Sequence, residues 1–472
     1  MTAPHTPHDN IEALDCPPLE QATVDFVQRF DATQIDSGVR AAVSRVMRDQ
    51  LAVQIGCSQL PWSKQVLTYA SANAAPGRSL VTGSALRLNA ADAAFVNSTY
   101  ASGFEYDDTH LASNSHPACC VVPAALAIGQ EQGATLEDIL PALVAGYEVY
   151  TRIGMLAAPE LVKSGFQPHP VLSVFGGAAV AAKLRGLSAA QTLNALGSSL
   201  SFAAGTLEPT STGGSIKRSQ SGIGVRGGMV AAELARAGIT GPRAFLTGHK
   251  GFYATFVKRG PGESPERVFA PGQPLQIHQV WLKAYCCCGC IHPYLDAIAP
   301  FVHRLDEIER VSVRAQTSSY LLACSNANTF NPGNIEDVQF SLPVQLAFAM
   351  LGLGNDYRSH MDYMAGTIDM DRVRAVMQRI EVVKAPELDA QHPGKFVADL
   401  TVHLRGGESH QVLVDTPLGT PGNPLSEAQQ DAKFMALTAG VLGQSRAQTL
   451  LQTLREFDTR LRVEDLLAMC AP

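Results

Sequence analysis

The residues most capable of chemistry crowd into one stretch, Glu105–Pro117, which reads EYDDTHLASNSHP. Glu105, Asp107 and Asp108 are followed by Thr109 and His110 and, after a short polar spacer, by His116. Carboxylates and imidazoles brought together away from bulk water shift one another's pKa, which general acid–base work near neutral pH requires. Ser, Asn and Pro make the spacer a loop. Taken alone, the stretch reads more readily as a solvated acidic loop that caps the next helix. Two other places add to it. Lys217 and Arg218 lie in a Gly/Ser/Thr-rich loop ahead of a helix, where backbone N–H groups and cations can meet an anion. A solvated lysine would account for Lys217 equally well. His292 follows a cysteine run and precedes a helix.

That run, Cys286-Cys287-Cys288-Gly289-Cys290, contains a C-x-x-C spacing. A zinc or iron–sulfur site needs a second pair, and only the adjacent Cys119-Cys120 could supply one, with poor geometry. No thioredoxin-like βαβ pattern surrounds the run. Its thiols are expected to be buried small hydrophobes that bind no metal and form no required disulfide. GIGVRG at 222–227 matches G-x-G-x-x-G but follows a loop rather than a strand, so it is not a dinucleotide site.

The elements that must position these groups are mostly helices. One spans Ala90 to Ser102 ahead of the acidic loop, and another reads Val122–Gln132, ended by Gly133. Thr135 with Asp138 opens the next, which runs to about Leu156. After the break GFQPHP come a small-residue helix stopped by Gly186, a capping box at Ser188 and Gln191, and an Ala/Gly-rich helix from about Gly224 to Ala237. Thr240-Gly241-Pro242 is expected to start a short helix. Beyond a Pro/Gly-rich linker, Pro261–Pro274, strand patterns at Val311–Gln316, Arg379–Lys384, Val397–Leu404 and Gln411–Val414 alternate with helical runs Pro293–Leu305 and Val338–Leu353. From Ser426, which forms a capping box with Gln429, Ala/Leu-rich helices run to the end. They resemble the first part more than the middle. Residues 1–270 and 417–472 are therefore expected to form one large all-helical domain, with an α+β unit, 271–416, inserted. Residues 1–15 read as a mobile arm.

The chain has 472 residues, 46% hydrophobic and 17% charged, enough for two or more domains with a large core. A net charge of −7 without a Lys/Arg-rich tract argues against nucleic acid as partner. No basic region followed by an apolar run opens the chain, and no run of about 18 apolar residues occurs, so neither a secretory signal nor a spanning helix is expected. Ten cysteines without such a signal suggest reduced thiols in a cytoplasmic protein.

In order and wording the chain resembles the MmgE/PrpD family, which includes 2-methylcitrate dehydratase, cis-aconitate decarboxylase and iminodisuccinate epimerase. The landmarks are AADAAFVNSTYASGFEYDDTH, HPACCVVPAALAIGQEQG, LVAGYEVYTRIG, VFGGAAVAAKLRGLSAAQTLNALG, the stretch from KRSQSGIGVRGG to TGHKGF, CCCGCIHPYLDA and PLGTPGNPLSEAQQDAKF. The resemblance implies a mainly α fold with the smaller unit as a lid. It also implies a homodimer, catalysis without metal or redox cofactor, and small di- or tricarboxylate substrates. Carried over by motif, the site falls on the acidic loop with Thr109, on His116, on Lys217 and on His292, with Glu105 where a relative such as the decarboxylase carries Asp. The chain departs from the family at GFQPHP, where Gln167 stands in place of a histidine and His169 follows two residues later. It departs again at KRSQSG, where Gln220 replaces another histidine.

The resulting expectation is a cofactor-independent lyase of the hydro-lyase type, acting on a small polycarboxylate such as 2-methylcitrate by proton transfer α to a carboxylate. Decarboxylation of the cis-aconitate type and epimerisation of a dicarboxylate such as iminodisuccinate are the alternatives. A redox or metal protein using Cys286–Cys290 is the rival from another class. In this reading His116 and His292 are acid and base, and Lys217 and Arg218 hold carboxylates. Asp107 and Asp108 orient the imidazoles or cap the loop, and Glu105, Thr109, Gln167 and His169 contact substrate.

Overall fold

A computed structural model describes residues 14–392 and 394–471. The arm expected at 1–15 lies outside the described residues except for its last two. About 60% of the chain is helical and 9% strand, which makes the fold mainly α. No helix among the described residues is long and apolar enough to cross a membrane.

Local chemistry sets most helix starts. Asn89 accepts the Asp92 N–H to begin Ala90–Ser102, and capping boxes at Thr135, Ser188 and Ser426 open Leu136–Ala157, Ala189–Ser199 and Glu427–Leu442. The helix after the acidic loop is Ala118–Gln132, longer at its start than the sequence suggests. Its first N–H, that of Ala118, is satisfied from outside by Asp108 Oδ1 at 3.1 Å. The Ala/Gly-rich helix also starts early, as Gln220–Arg236, because the turn at Ser215–Ser219 runs straight into it. No helix forms after Thr240. The Gly241 N–H bonds to Asn194 Oδ1 at 3.2 Å and the segment turns against Ala189–Ser199 instead. The run expected at 338–353 divides into Ile335–Gln339 and Leu342–Met350, the second capped by Ser341.

Helix Gln220–Arg236 lies along Pro168–Leu184 closely enough that a Cβ at Gly228 would come within 2.1 Å of the Val174 carbonyl. The small residues read from the sequence make that crossing possible, and dispersion across it stabilises the core. The C-terminal helices Glu427–Leu442 and Gln444–Glu456 pack on Ser37–Cys57, and Val463–Ala468 packs on Ala118–Gln132. Between these ends of the chain is a four-stranded sheet in the order Ile380–Lys384, Ile308–Ala315, Ala398–Leu404, Ser409–Val414. The first pair is parallel and the others antiparallel. Helix His292–Ile298 covers the last two strands. The Pro/Gly-rich stretch before it is pinned rather than slack, since Arg152 donates to the carbonyls of Val268 and Pro274.

Candidate active site

Helix Ala90–Ser102 ends at Gly103, and the chain enters the acidic loop through Glu105 at a φ of 55°. A non-glycine residue there carries strain of about 1 kcal/mol or more and persists only when its surroundings over-determine it. The surroundings are ionic. Glu105 Oε1 pairs with Lys217 Nζ, Oε2 lies 3.5 Å from Lys283 Nζ, and the Glu105 carbonyl accepts from Lys283 at 3.2 Å. Lys283 Nζ is also 3.8 Å from Asp107 Oδ1. Burial alone would raise the Glu105 carboxyl, yet Lys217, Lys283 and Arg218 together hold it well below the usual carboxylate range. Burial alone would lower the Lys283 ammonium, but Glu105 and Asp107 push it above an ordinary lysine. Glu105 and Lys283 are therefore charged although both are almost fully enclosed.

Lys283 is the member that sequence reading missed. Its signal was present: one lysine in the otherwise apolar run VWLKAYCCC. Two contacts fix its position. Thr109 and Trp281 exchange backbone hydrogen bonds of 2.8 Å in both directions, and the Leu282 N–H donates to the Gly419 carbonyl at 3.1 Å. Gly419 has a φ of 94°, and a Cβ on it would meet the Leu282 carbonyl oxygen at 2.0 Å.

His116 lies beside this cluster with 22% of its side chain exposed. Its Nδ1 is 2.6 Å from the Asp108 carbonyl, an acceptor only, so the proton sits on Nδ1 and Nε2 keeps its lone pair. Thr109 Oγ1 and Asp107 Oδ2 approach the same nitrogen at 3.4 and 4.0 Å. The His169 ring is 5.6 Å away, centroid to centroid. There Gln167 Nε2 donates to Nδ1 at 3.0 Å, which leaves the His169 proton on Nε2. The neighbouring imidazoles thus have opposite tautomers, one offering a lone pair and the other a proton. Burial lowers both pKa values; Asp107 and Glu105 oppose the fall at His116, while the neighbouring His116 adds to it at His169.

The other residues singled out by the sequence have different surroundings. Asp108 accepts from Ala118 N–H and, at 3.0 Å, from the Tyr147 hydroxyl, and its carboxyl is pushed well up by burial and then by Asp107. Its side chain builds the loop, and its carbonyl orients His116. Arg218 is 2% exposed, donates to Gly103 O at 2.9 Å and Gln339 Oε1 at 3.1 Å, and stacks on Trp62. Its guanidinium is thus engaged by protein groups. Gln220 donates to Thr206 O at 3.1 Å. His292 is fully enclosed between Trp281 and Tyr285, with Nε2 3.3 Å from the Cys287 carbonyl. The sequence pairs His116 with His292, whereas the ring in contact with His116 is His169. No hydrogen bond, ion pair or ring contact among the described residues joins His292 to His116. All ten cysteines are free thiols, and no group of three or more His, Cys, Asp or Glu among the described residues is placed to hold a metal.

Fold and cluster together are those of a helical protein with an enclosed centre of ionisable side chains. The chain belongs to the MmgE/PrpD family: the family's N-terminal domain matches residues 21–263 and its C-terminal domain residues 285–459. It is 25% identical to the cis-aconitate decarboxylase-like protein oryM of Aspergillus oryzae over 490 residues, covering 98% of each chain. It is 24% identical to the cis-aconitate decarboxylase of Aspergillus terreus, covering 92% of each. It is 25% identical to the cis-aconitate decarboxylase of Homo sapiens, covering 79% of this chain and 78% of the human one.

Proposed function

We propose that the protein is a lyase of the hydro-lyase type, acting without a cofactor on a small di- or tricarboxylate such as 2-methylcitrate. The observation that carries this reading is the pair of touching imidazoles in opposite tautomers beside two buried ammonium groups. His116 Nε2 takes the proton from the carbon next to a carboxylate. Lys217 and Lys283 stabilise the enolate-like charge that develops, an effect strengthened where water is excluded. The His169 Nε2–H holds a substrate oxygen by hydrogen bond and keeps its proton. As the C–O bond breaks, His116 passes its proton to the departing hydroxyl, so water leaves and the site regains its starting charge. Arg218, Asp107 and Asp108 act by positioning, Thr109 and Gln167 set the two rings, and Glu105 pairs with both lysines. In this reading His292 supports the Trp281–Lys283 segment.

The names of the relatives favour a second reading, decarboxylation of the cis-aconitate type, in which the same residues protonate the carbon left by CO₂. We further propose that the working unit is a cytoplasmic homodimer whose α+β part, 271–416, closes over the helical part. The test is NMR in deuterated water with citrate, 2-methylcitrate, cis-aconitate and iminodisuccinate. Deuterium entry next to a carboxylate, with water loss from 2-methylcitrate, is the expected result. CO₂ release from cis-aconitate without exchange on the hydroxy acids would replace the first reading by the second. No exchange and no conversion with any of the four would overturn both.

A further inference from the structure

Lys433 belongs to the C-terminal helix Glu427–Leu442, 327 residues after Tyr106 and 150 after Lys283, and is buried. A lysine enclosed in a core is costly unless its ammonium is fully partnered. Here it is. Its Nζ donates to the Tyr106 carbonyl at 2.9 Å and to the Lys283 carbonyl at 3.1 Å, and lies 2.7 Å from Asp49 Oδ1. The same nitrogen stands 4.0 Å from the centre of the Tyr106 ring. An ammonium has three N–H donors, and these three acceptors use them all. Lys433 therefore has nothing left with which to hold a substrate.

The acceptors come from three separate parts of the chain. Asp49 is on helix Ser37–Cys57, Tyr106 lies in the acidic loop between Glu105 and Asp107, and Lys283 leads into the cysteine run. A pair that served only to fill the core would need Asp49 alone. Two of the three bonds go instead to main-chain carbonyls on either side of the Glu105–Lys283 contact. The backbone bonds of Trp281 and Leu282 hold the chain ahead of Lys283, and Lys433 holds it behind. Tyr106 adds to that hold by donating its hydroxyl to the Ala284 carbonyl at 3.2 Å.

We infer that Lys433 is a positioning residue of the active site: it ties the backbone of the acidic loop to that of Lys283, so that the Lys283 ammonium meets Glu105 and Asp107 at a fixed depth. The inference rests on the proposed role of Lys283 in stabilising developing charge. Hydrogen bonds from an ammonium are roughly twice as strong as neutral ones, which suits them to this task. Without them the two segments are free to shift, and a displacement of about 1 Å can cost about 10²-fold in rate. Lys217 does not touch Lys433, so the grip on a substrate carboxylate outlasts the loss.

The test compares Asp49→Asn, Lys433→Met and the two combined, each checked by its melting curve. Asp49→Asn keeps Lys433 on both carbonyls; it should lower the melting temperature and leave kcat within about 2-fold. The combined variant spares Asp49 a buried, unpaired charge, so it should melt above Lys433→Met alone. Its kcat should nevertheless stay down by about 10-fold or more, with KM changed by less than about 3-fold. Hydrogen exchange read by mass spectrometry needs no substrate. It should quicken at the amides of Thr109, Trp281 and Leu282 in the combined variant and not in Asp49→Asn. A kcat that follows melting temperature across the three variants would overturn the inference, as would wild-type kcat or unchanged exchange in the combined variant. If wild-type protein converts none of the four acids, the lyase reading falls by itself, and the exchange pattern alone decides whether Lys433 holds Lys283.

Discussion

Lys283 and Cys286 stand three residues apart, both fully buried, and the pKa of each is pushed upward. For the thiol the cause is burial, and upward means neutral. For the lysine burial acts downward, the carboxylates of Glu105 and Asp107 overcome it, and upward means charged. Cys287 and Cys290 follow Cys286 in being raised. Cys288 is lowered through its contact with the Cys290 sulfur at 3.4 Å. The difference between the two neighbourhoods is the presence of paired opposite charge. Burial converts an ionisable residue into packing unless a counter-charge is buried with it.

The largest effect should come from breaking that pairing. Lys283→Met leaves Glu105 and Asp107 enclosed with one cation fewer, and is expected to cost about 3–5 kcal/mol in urea unfolding. Combining it with Glu105→Gln should recover part of the loss; strictly additive losses would show that the pair is not coupled. His116→Ala and Lys217→Ala come next, each expected to lower kcat by about 10²-fold or more in a protein that still melts cooperatively. His292→Ala should affect melting temperature more than kcat, and an equal fall in kcat would return His292 to the chemistry. A smaller effect separates Asp107 from the others. His116 must be neutral to accept a proton, so activity falls as pH drops through its lowered pKa, below the ordinary imidazole value near 6.5. Asp107 raises that pKa, so Asp107→Asn should move the acid limb of kcat/KM to lower pH. The smallest effect is expected at the thiols: Cys287→Ala should leave turnover within about 2-fold. Loss of activity together with loss of a bound metal would reverse the comparison.

Much of the fold was legible because its determinants are local. Thr135 with Asp138, Ser188 with Gln191 and Ser426 with Gln429 mark helix starts within four residues of sequence. The four strands likewise announce themselves by alternation. Where the reading slipped, a distant residue decided: Asp108 supplying the cap of Ala118–Gln132, or Asn194 occupying the Gly241 N–H. The site divides along the same line. Glu105, Asp107 and His116 are visible as one dense stretch, and Lys217 as a cation in a glycine-rich loop. Lys283 was hidden because backbone contacts of Trp281 with Thr109 and of Leu282 with Gly419 bring it to Glu105, 178 residues away. His169 as the partner ring of His116 was hidden for the same reason, whereas His292 attracted notice through its conspicuous neighbours.

Gly419 has no functional group, yet it governs how deep a charge sits. Any side chain there would collide with the backbone of Leu282 and force apart the segment that carries the Lys283 ammonium inward. Substitution at this position is therefore opposed both by its own φ of 94° and by the carbonyl of Leu282, the residue next to Lys283. A random library selected for activity should return glycine at 419 almost alone, with a stringency usually reserved for nucleophiles and ligands. Damage there would register as a loss of substrate affinity in a chain whose every chemical group is intact.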